Sequence, residues 1–308
     1  MNYRHLPPLG LVLASLAACQ GAVSSEGAAR QEQPFDSAKI EEITGLKGAW
    51  NKEEAVFKVS SPRVDLKVSV DRWTMPPFMG LTSWAAFQKG KPAEAMVMGD
   101  LVLMQDEVNP VMSELLGAGL SVTALHNHFF YDEPKVYFMH LGGEGATESL
   151  ARGVRKAFDK VKAIRSGHAE PGTSFGAEPL SEKSSITGKN IDEIFGGKGQ
   201  AKDGMFKVVI GRKTKSACGC EVGKEMGVNT WAAFAGTDEN AVVDGDFAVL
   251  EGELQGVLKS LRGSGINIVA IHHHMTMEMP RILFLHYWGR GKASDLARAV
   301  KSAVNTQQ

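Results

Sequence analysis

The sequence predicts an α+β fold of two tandem, pseudo-twofold-related repeats, each a mainly antiparallel sheet with helices packed on one face. Two observations support this prediction: a histidine motif occurs twice with matching flanks, and strand-like and helix-like periodicities alternate within each copy. The 308 residues are enough for two domains or for one duplicated unit. We therefore expect each element of the first copy to have a counterpart in the second.

The two copies correspond along most of their length, and within the histidine motif they do so at one constant offset. The paired histidines are His126/His272, His128/His274 and His140/His286. Thr82–Phe87 recurs as Asn229–Phe234, and Gly99-Asp100 recurs as Gly245-Asp246. We therefore predict repeat 1 at 36–165, a polar linker at 166–185 and repeat 2 at 186–304.

Each element of repeat 1 follows from the spacing of its apolar residues. Ile40, Ile43 and Leu46 predict a short first helix, and apolar positions at helical spacing predict helices at 106–117 and around Leu150–Val161. Runs rich in β-branched and other apolar residues predict strands at 55–60, 64–70, 82–87, 95–104, 121–129 and 135–141. Strands joined by helices in this way indicate a sheet with helices on one face.

The first 35 residues have the pattern of an exported, membrane-anchored protein. Residues 1–19 combine basic residues with a short apolar run and end in Leu16-Ala17-Ala18-Cys19, which is the bacterial lipobox pattern. We expect lipidation of Cys19, followed by a flexible tether at 20–35. The alternative is an ordinary signal peptide. The expected location is the bacterial cell envelope, facing the periplasm or the exterior, with the membrane as a partner through Cys19.

Net charge argues against nucleic acid as a partner. The formal charge is −1 and the isoelectric point is near 6.8, so no basic surface is predicted. An unknown small molecule or envelope ligand remains the expected partner.

The histidine spacing predicts a site on one face of a hairpin. Side chains alternate along a strand, so His126 and His128 are expected to face the same side. A hairpin centred on Glu133 would place His126 opposite His140, and one centred on Met279 would place His272 opposite His286. We expect the opposite, helix-covered side to be lined by apolar residues. In the first copy these are Leu125, Phe129, Met139 and Leu141, and in the second Ile271, Met275, Leu283 and Leu285.

Three imidazoles are typical ligands of a divalent transition metal, with zinc expected first. The predicted ligands are His126, His128, His140, His272, His274 and His286. Glu107 and Glu253 are the candidate catalytic residues, as ligand or base, and Asp132 and Glu278 are further candidates. Asp100 and Asp246, each after a glycine, are typical of turn caps. The competing interpretation is a half-exposed sheet face whose histidines bond only to their neighbours.

Copper is the alternative metal in repeat 2. Met275, Met277 and Met279 follow the histidines there, and thioethers with imidazoles suit Cu(I). Cys218 and Cys220 form a Cys-x-Cys pair that has no counterpart in repeat 1. These cysteines could pair, bind a soft metal or remain free.

The motifs together resemble the LppY/LpqO family of bacterial lipoproteins, whose domain has no established function. The resemblance rests on Ser83–Phe87, Gly99-Asp100, Glu107–Met112, Ala124–His128 and their second copies, and it covers nearly all of 36–304. It implies an envelope lipoprotein and supplies no catalytic residue. We expect a zinc-binding protein, with a metal-dependent hydrolase as one form of it. The alternative is a non-catalytic envelope protein that binds copper, zinc or another ligand.

Overall fold

A twelve-stranded antiparallel sheet dominates the fold, and helices cover one of its faces. The structure is a computed structural model, and it describes residues 35–307. Cys19, the predicted signal peptide and nearly all of the predicted tether lie outside these residues.

Repeat 1 contains three α-helices and nine strands within the described residues. The helices are α1 (Ser37–Thr44), α2 (Gln105–Gly117) and α3 (Thr147–Gly167). The strands are β1 (Gly48–Asn51), β2 (Val56–Pro62), β3 (Ser69–Val70), β4 (Trp73–Thr74), β5 (Thr82–Lys89), β6 (Ala95–Met104), β7 (Ser121–His126), β8 (Asp132–Glu133) and β9 (Val136–Gly145).

Repeat 2 follows the same order of major elements. Its helices are α4 (Gly188–Phe195), α5 (Leu254–Gly263) and α6 (Ala293–Val304). Its strands are β10 (Gln200–Lys202), β11 (Met205–Gly211), β12 (Thr214–Lys215), β13 (Glu221–Val222), β14 (Asn229–Gly236), β15 (Ala241–Leu250), β16 (Asn267–His272) and β17 (Ile282–Gly291). Between the repeats, residues 168–187 carry no helix or strand apart from an isolated bridge from Ser185 to Thr237.

The predicted α+β class is confirmed, and the two repeats share a single sheet. The strand order is β1-β2-β5-β6-β9-β7-β16-β17-β15-β14-β11-β10, which reads as the same arrangement from either edge. Alternation puts residues such as Val59, Phe87 and Leu101 under the helices, in one large apolar cluster. This cluster runs through both repeats.

Most predicted elements of repeat 1 are present, and two strands are shorter than expected. In the segment 64–70 only Ser69–Val70 is a strand, because Arg63 turns inward to bind Glu107 and the chain leaves the sheet. The strand predicted at 121–129 ends at His126, because Asn127 donates from Nδ2 to the carbonyl of Val136 at 2.9 Å.

The two repeats meet where β7 and β16 pair, with Leu125 opposite Ile271. A β-bulge interrupts each of these strands, between Val122 and Ala124 and between Ile268 and Ala270. At the bulges, a side chain from each repeat forms hydrogen bonds to the backbone of the other. Asn109 of α2 bonds both the N–H and the carbonyl of Ile268, at 2.7 and 3.0 Å.

Gln255 of α5 completes this exchange from the other side. It bonds the N–H and the carbonyl of Val122 at 3.0 and 2.8 Å. Each repeat therefore satisfies backbone groups that the bulge leaves unpaired in the other repeat.

Small apolar clusters cover part of the face opposite the helices. In repeat 1 a three-stranded sheet of β4, β3 and β8 accompanies a cluster in which Val68 and Leu81 pack with Phe138. In repeat 2 Val222 and Val228 pack with Phe284. The segments between these clusters leave room for the histidines.

Candidate metal centre

The repeated spacing of the histidines places them on the sheet face opposite the helices. Leu125 and Met139 belong to the cluster under the helices, so the alternating residues His126 and His140 face the other side. The same alternation applies to His272 and His286. We call this side the histidine face.

The predicted hairpin register is wrong by two residues in both repeats. His126 lies opposite Phe138, and His140 lies opposite Ala124. His272 likewise lies opposite Phe284. The loop is closed by Asp132, whose Oδ2 accepts the N–H of Val136 at 2.7 Å, and not by a turn centred on Glu133. A shift of two residues keeps every side chain on its predicted face, so the histidines still converge.

The predicted positions of Phe129 and Met275 are also wrong. Each packs on the histidine face, Phe129 in the cluster of Phe138 and Met275 in the cluster of Phe284. They lie beyond the ends of β7 and β16, so strand alternation does not apply to them.

Each repeat gathers three histidines and one aspartate, and we call the two groups half-sites. Half-site 1 consists of Asp100, His126, His128 and His140. Half-site 2 consists of Asp246, His272, His274 and His286. In the sheet, Asp100 pairs with His140 and Asp246 pairs with His286 on the neighbouring strand.

In half-site 1 the ring nitrogens of two histidines are in contact. His126 Nε2 and His140 Nε2 are 3.1 Å apart. The ring of His128 stacks on Phe138, with centroids 3.3 Å apart, and its centroid is 5.2 Å from that of His126. Stacking on a buried phenylalanine holds His128 beside the other two, although it lies beyond the end of β7.

In half-site 2 a carboxylate completes the contact between histidines. His272 Nε2 and His274 Nε2 are 3.1 Å apart, and His274 Nε2 is 3.6 Å from Asp246 Oδ2. One ligand atom from each of these three residues lies within 4.8 Å of the others. His286 stacks on His272 with centroids 4.9 Å apart, and its Nδ1 is 3.3 Å from the carbonyl of Gly245.

Asp100 and Asp246 are the site residues that the sequence analysis missed. The expectation that they cap turns is wrong, because they lie inside β6 and β15. The repeated Gly-Asp pair was the available signal. A Cβ on Gly245 would lie 2.2 Å from Tyr287 and 2.3 Å from the carbonyl of Trp231, so glycine is needed there for close packing.

Burial favours the neutral, metal-binding form of the histidines and disfavours the ionised form of the aspartates. Burial raises the pKa of Asp246 to about 6 and lowers that of His272 to about 4. Burial also raises the pKa of Asp100 and lowers those of His128 and His274. At pH 7 Asp246 is therefore ionised and His272 is neutral, as metal ligands must be.

Three buried polar atoms here have no hydrogen-bond partner among the described residues: Asp100 Oδ1, Asp246 Oδ1 and His272 Nδ1. Two nitrogen ligands of a tetrahedral zinc ion lie about 3.3 Å apart. The 3.1 Å separations of Nε2 atoms in both half-sites are close to this value. The donor set, its spacing and its unpartnered atoms all fit a divalent transition metal.

Glu107 and Glu253, the predicted catalytic residues, lie at the starts of α2 and α5 in ion pairs. Glu107 is fully buried and receives two hydrogen bonds from Arg63, at 2.7 and 2.9 Å, and an ion pair from Arg165 at 2.9 Å. It also accepts the N–H of Met104 at 2.8 Å. Glu253 pairs with Arg212 in the same way. These contacts account for both residues as helix caps; their catalytic role stays a prediction.

Arg63 and Arg165 also line a cleft of about 460 Å³ on the helix-covered side. Its floor includes Leu101 and Leu103, whose side chains point away from the histidine face. The cleft and the half-sites are therefore on opposite sides of the sheet.

The other candidate residues have structural roles in loops. Asp132 binds Lys135 at 3.0 Å as well as the N–H of Val136, and Glu278 accepts the N–H of Ile282 at 3.1 Å. Cys218 and Cys220 form a disulfide in the turn between β12 and β13. The bond accounts for this pair without a metal.

Comparison with known proteins gives the family of the chain. The family described as Domain of Unknown Function (DUF1259) matches residues 38–160 and again residues 189–306. The chain belongs to this family. Its two DUF1259 domains contain half-site 1 and half-site 2 respectively, and the double match agrees with the duplication read from the sequence.

Other comparisons add little about the DUF1259 domains. No curated protein matches the chain. A trimeric bacterial microcompartment shell protein, PduB, is similar at 12% identity over 84% of this chain and 89% of its own, with a TM-score of 0.21. The double-ringed trimeric shell protein MSM0271 from the RMM microcompartment is similar at 12% identity over 68% of this chain and 80% of its own, with a TM-score of 0.17.

Proposed function

We propose that this protein binds divalent transition metal, zinc foremost, at both half-sites. The observation that carries the proposal is the convergence of Asp246, His272 and His274, with ligand atoms within 4.8 Å of one another. Half-site 1 has the same residue types, with Asp100 in register with His140 and the Nε2 atoms of His126 and His140 in contact. We expect half-site 2 to bind first, because its carboxylate already contacts a histidine, at 3.6 Å.

Zinc is favoured over Cu(I) by the nature of the donors. Met275 packs in the apolar cluster of Phe284, and Met277 and Met279 are largely exposed to solvent. A carboxylate with imidazoles is the donor set of zinc and related divalent ions, whereas Cu(I) prefers sulfur.

Hydrolysis is the second candidate function. Catalytic zinc sites use three protein ligands and leave one position for water, and Asp246, His272 and His274 form such a set of three. A metal carrier or structural site would instead complete a four-ligand shell, for which His286 is the available fourth residue.

The location proposed for this activity is the bacterial cell envelope. The lipobox pattern ending in Cys19, and the resemblance to the LppY/LpqO lipoproteins, support membrane attachment through a lipid on Cys19. No helix within residues 35–307 is long and apolar enough to cross a membrane.

Metal analysis of the purified chain tests the proposal. After equilibration with zinc and dialysis, we expect about two zinc ions per chain by elemental analysis. The double variant His272→Ala/His274→Ala should lose the tighter ion and His126→Ala/His140→Ala the weaker one. His168→Ala is the matched control, because His168 is exposed at the end of α3.

Two outcomes would decide against the proposal. Zinc below half an equivalent in the parent chain would refute metal binding, and so would equal zinc content in the parent and both double variants. A chromogenic ester assayed with the same loaded variants tests hydrolysis, which requires activity that disappears together with the metal.

A further inference from the structure

The two half-sites lie side by side at the centre of the sheet. Leu125 and Ile271 are opposite each other on β7 and β16, and both are buried toward the helices. Continuing this antiparallel register by one residue puts His126 opposite Ala270 and His272 opposite Ala124, all on the histidine face. A pseudo-twofold axis therefore passes between the half-sites.

Only alanine methyl groups separate the half-sites along the rows of the sheet. Ala124 lies between His140 and His272, because it is opposite His140 on its other side. Ala270 lies between His126 and His286 in the same way. Neighbouring strands are about 4.8 Å apart, so each pair of histidines has its Cα atoms about 10 Å apart.

This spacing suits a ligand that reaches both half-sites. Each half-site gathers its own donor atoms, and on each row an alanine lies between a histidine of one half-site and a histidine of the other. A small molecule with two binding ends has the right length to lie over Ala124 and Ala270 and reach both half-sites.

With metal bound, both half-sites carry positive charge and would therefore bind an anion. Each half-site supplies one carboxylate ligand and neutral imidazoles, so a divalent ion leaves a net positive charge at each, which the nearby Asp244 partly offsets in half-site 2. Lys58 and Lys207 add positive charge at equivalent places, over the rings of Trp84 and Trp231 at 4.1 and 4.0 Å. Both tryptophans lie in register with the site aspartates, Trp84 with Asp100 and Trp231 with Asp246.

Building on the metal binding proposed above, we propose that the two loaded half-sites bind one small dianion together. Its anionic groups stand at its two ends, as in a short α,ω-dicarboxylate, and its middle lies over Ala124 and Ala270. Two-point attachment gives such a ligand higher affinity than a monoanion of the same length.

Calorimetry on the zinc-loaded full chain tests this proposal. The probes are succinate, glutarate and adipate, with butyrate as the monoanion. We expect one dicarboxylate per chain, a preferred length among the three, and affinity about tenfold or more above that of butyrate. In His272→Ala/His274→Ala, which keeps half-site 1, the dicarboxylate should bind no better than butyrate.

Substitution of Ala124 and Ala270 tests ligand binding separately from metal binding. Ala124→Leu and Ala270→Leu place a larger side chain between the half-sites, so zinc content should be unchanged while dicarboxylate affinity falls. Ala235→Leu is the matched control, since Ala235 lies on the same sheet face, opposite Val242 and near the end of β14. It should alter neither zinc content nor dicarboxylate affinity.

The results distinguish failure of this inference from failure of the proposed function. Two bound zinc ions with equal affinities for dicarboxylate and butyrate would overturn the dianion proposal and leave metal binding intact. A chain that binds no zinc would overturn both.

Discussion

Asp246 is a buried carboxylate with an oxygen, Oδ1, that has no hydrogen-bond partner among the described residues, and Asp100 repeats the feature. A buried, unpartnered carboxylate is costly in a folded protein, and such groups persist where a function requires them. A bound cation would supply the missing partner. The metal-free protein is therefore expected to be less stable than a variant without the charge.

Asp246→Asn tests this trade of stability for binding. At pH 7 we expect the metal-free variant to gain about 1–2 kcal/mol in free energy of unfolding, because a neutral amide is cheaper to bury, and to bind zinc more weakly. The measurements are urea denaturation and zinc titration. Asp203→Asn is the matched control, because Asp203 is exposed in the turn between β10 and β11 at the edge of the sheet. Loss of stability in metal-free Asp246→Asn would contradict the expectation.

The advantage of Asp246→Asn should also depend on pH. The pKa of Asp246 is raised from 3.8 to about 6 in the folded protein, so the folded state binds a proton more tightly than the unfolded state. Protonation of Asp246 therefore stabilises the folded parent chain below about pH 4, and this stabilisation is lost as pH rises through 6. Denaturation measured at pH 4 and pH 7 should show a gap between variant and parent only at the higher pH.

The histidines of the site were predictable from the sequence, whereas the aspartates were not. Six histidines at matching positions mark a site directly. Asp100 and Asp246 are distant from them in the chain, and only the pairing of β6 with β9 and of β15 with β17 brings them together. Pairing between distant strands is not encoded in local spacing.

At the scale of one element, the start of α2 is held by a buried charge network. Glu107 caps the helix and neutralises Arg63 and Arg165, whose side chains are 5% and 7% exposed. Removing the carboxylate would leave Arg63 paired only with Asp65 and Arg165 only with Asp106, which costs more than losing a surface ion pair because both arginines are buried.

Glu107→Gln is expected to lower the free energy of unfolding by about 3–5 kcal/mol. Zinc content should not change, because the network is on the helix-covered side. Glu148→Gln is the control, since its pair with Arg152 is exposed and worth about 0.5 kcal/mol or less. Loss of zinc with stability retained would instead place Glu107 in the metal centre, as the sequence analysis predicted.

The elements show which local signals were sufficient. The strand at 95–104 and the helix at 106–117 follow directly from runs of apolar residues, and both are present. The hairpin register was wrong because it depends on how Asp132 and Asn127 close the loop through Val136. Such side-chain to backbone bonds are invisible to periodicity.

For the whole molecule, the joint between repeats depends on a reciprocal pair of amides. Asn109 and Gln255 each bind both backbone groups of one residue in the other repeat. The repeats are thus expected to unfold together in a single transition, although the sequence describes them as separate units.

Asn109→Ala/Gln255→Ala is expected to destabilise this joint. Each substitution leaves a backbone N–H and carbonyl at a bulge unsatisfied, at a cost of about 1–3 kcal/mol. Thermal unfolding followed by circular dichroism should show a lower midpoint or two separate transitions. Asn51→Ala/Gln88→Ala removes comparable but exposed bonds within repeat 1 and is the control. An unchanged single transition would show that packing alone holds the joint.

The strand order is the same from both edges of the sheet, and this symmetry bears on how the two-repeat chain could have arisen. If the repeats were separated between β7 and β16, each half would expose the same kind of central edge, and two copies of one half would rebuild the sheet. The arrangement is the one that a symmetric homodimer would have if its two copies were joined into one chain. Fusion frees each half to change alone, and Asn127 against His273 or Gly142 against Trp288 records such divergence around a shared centre.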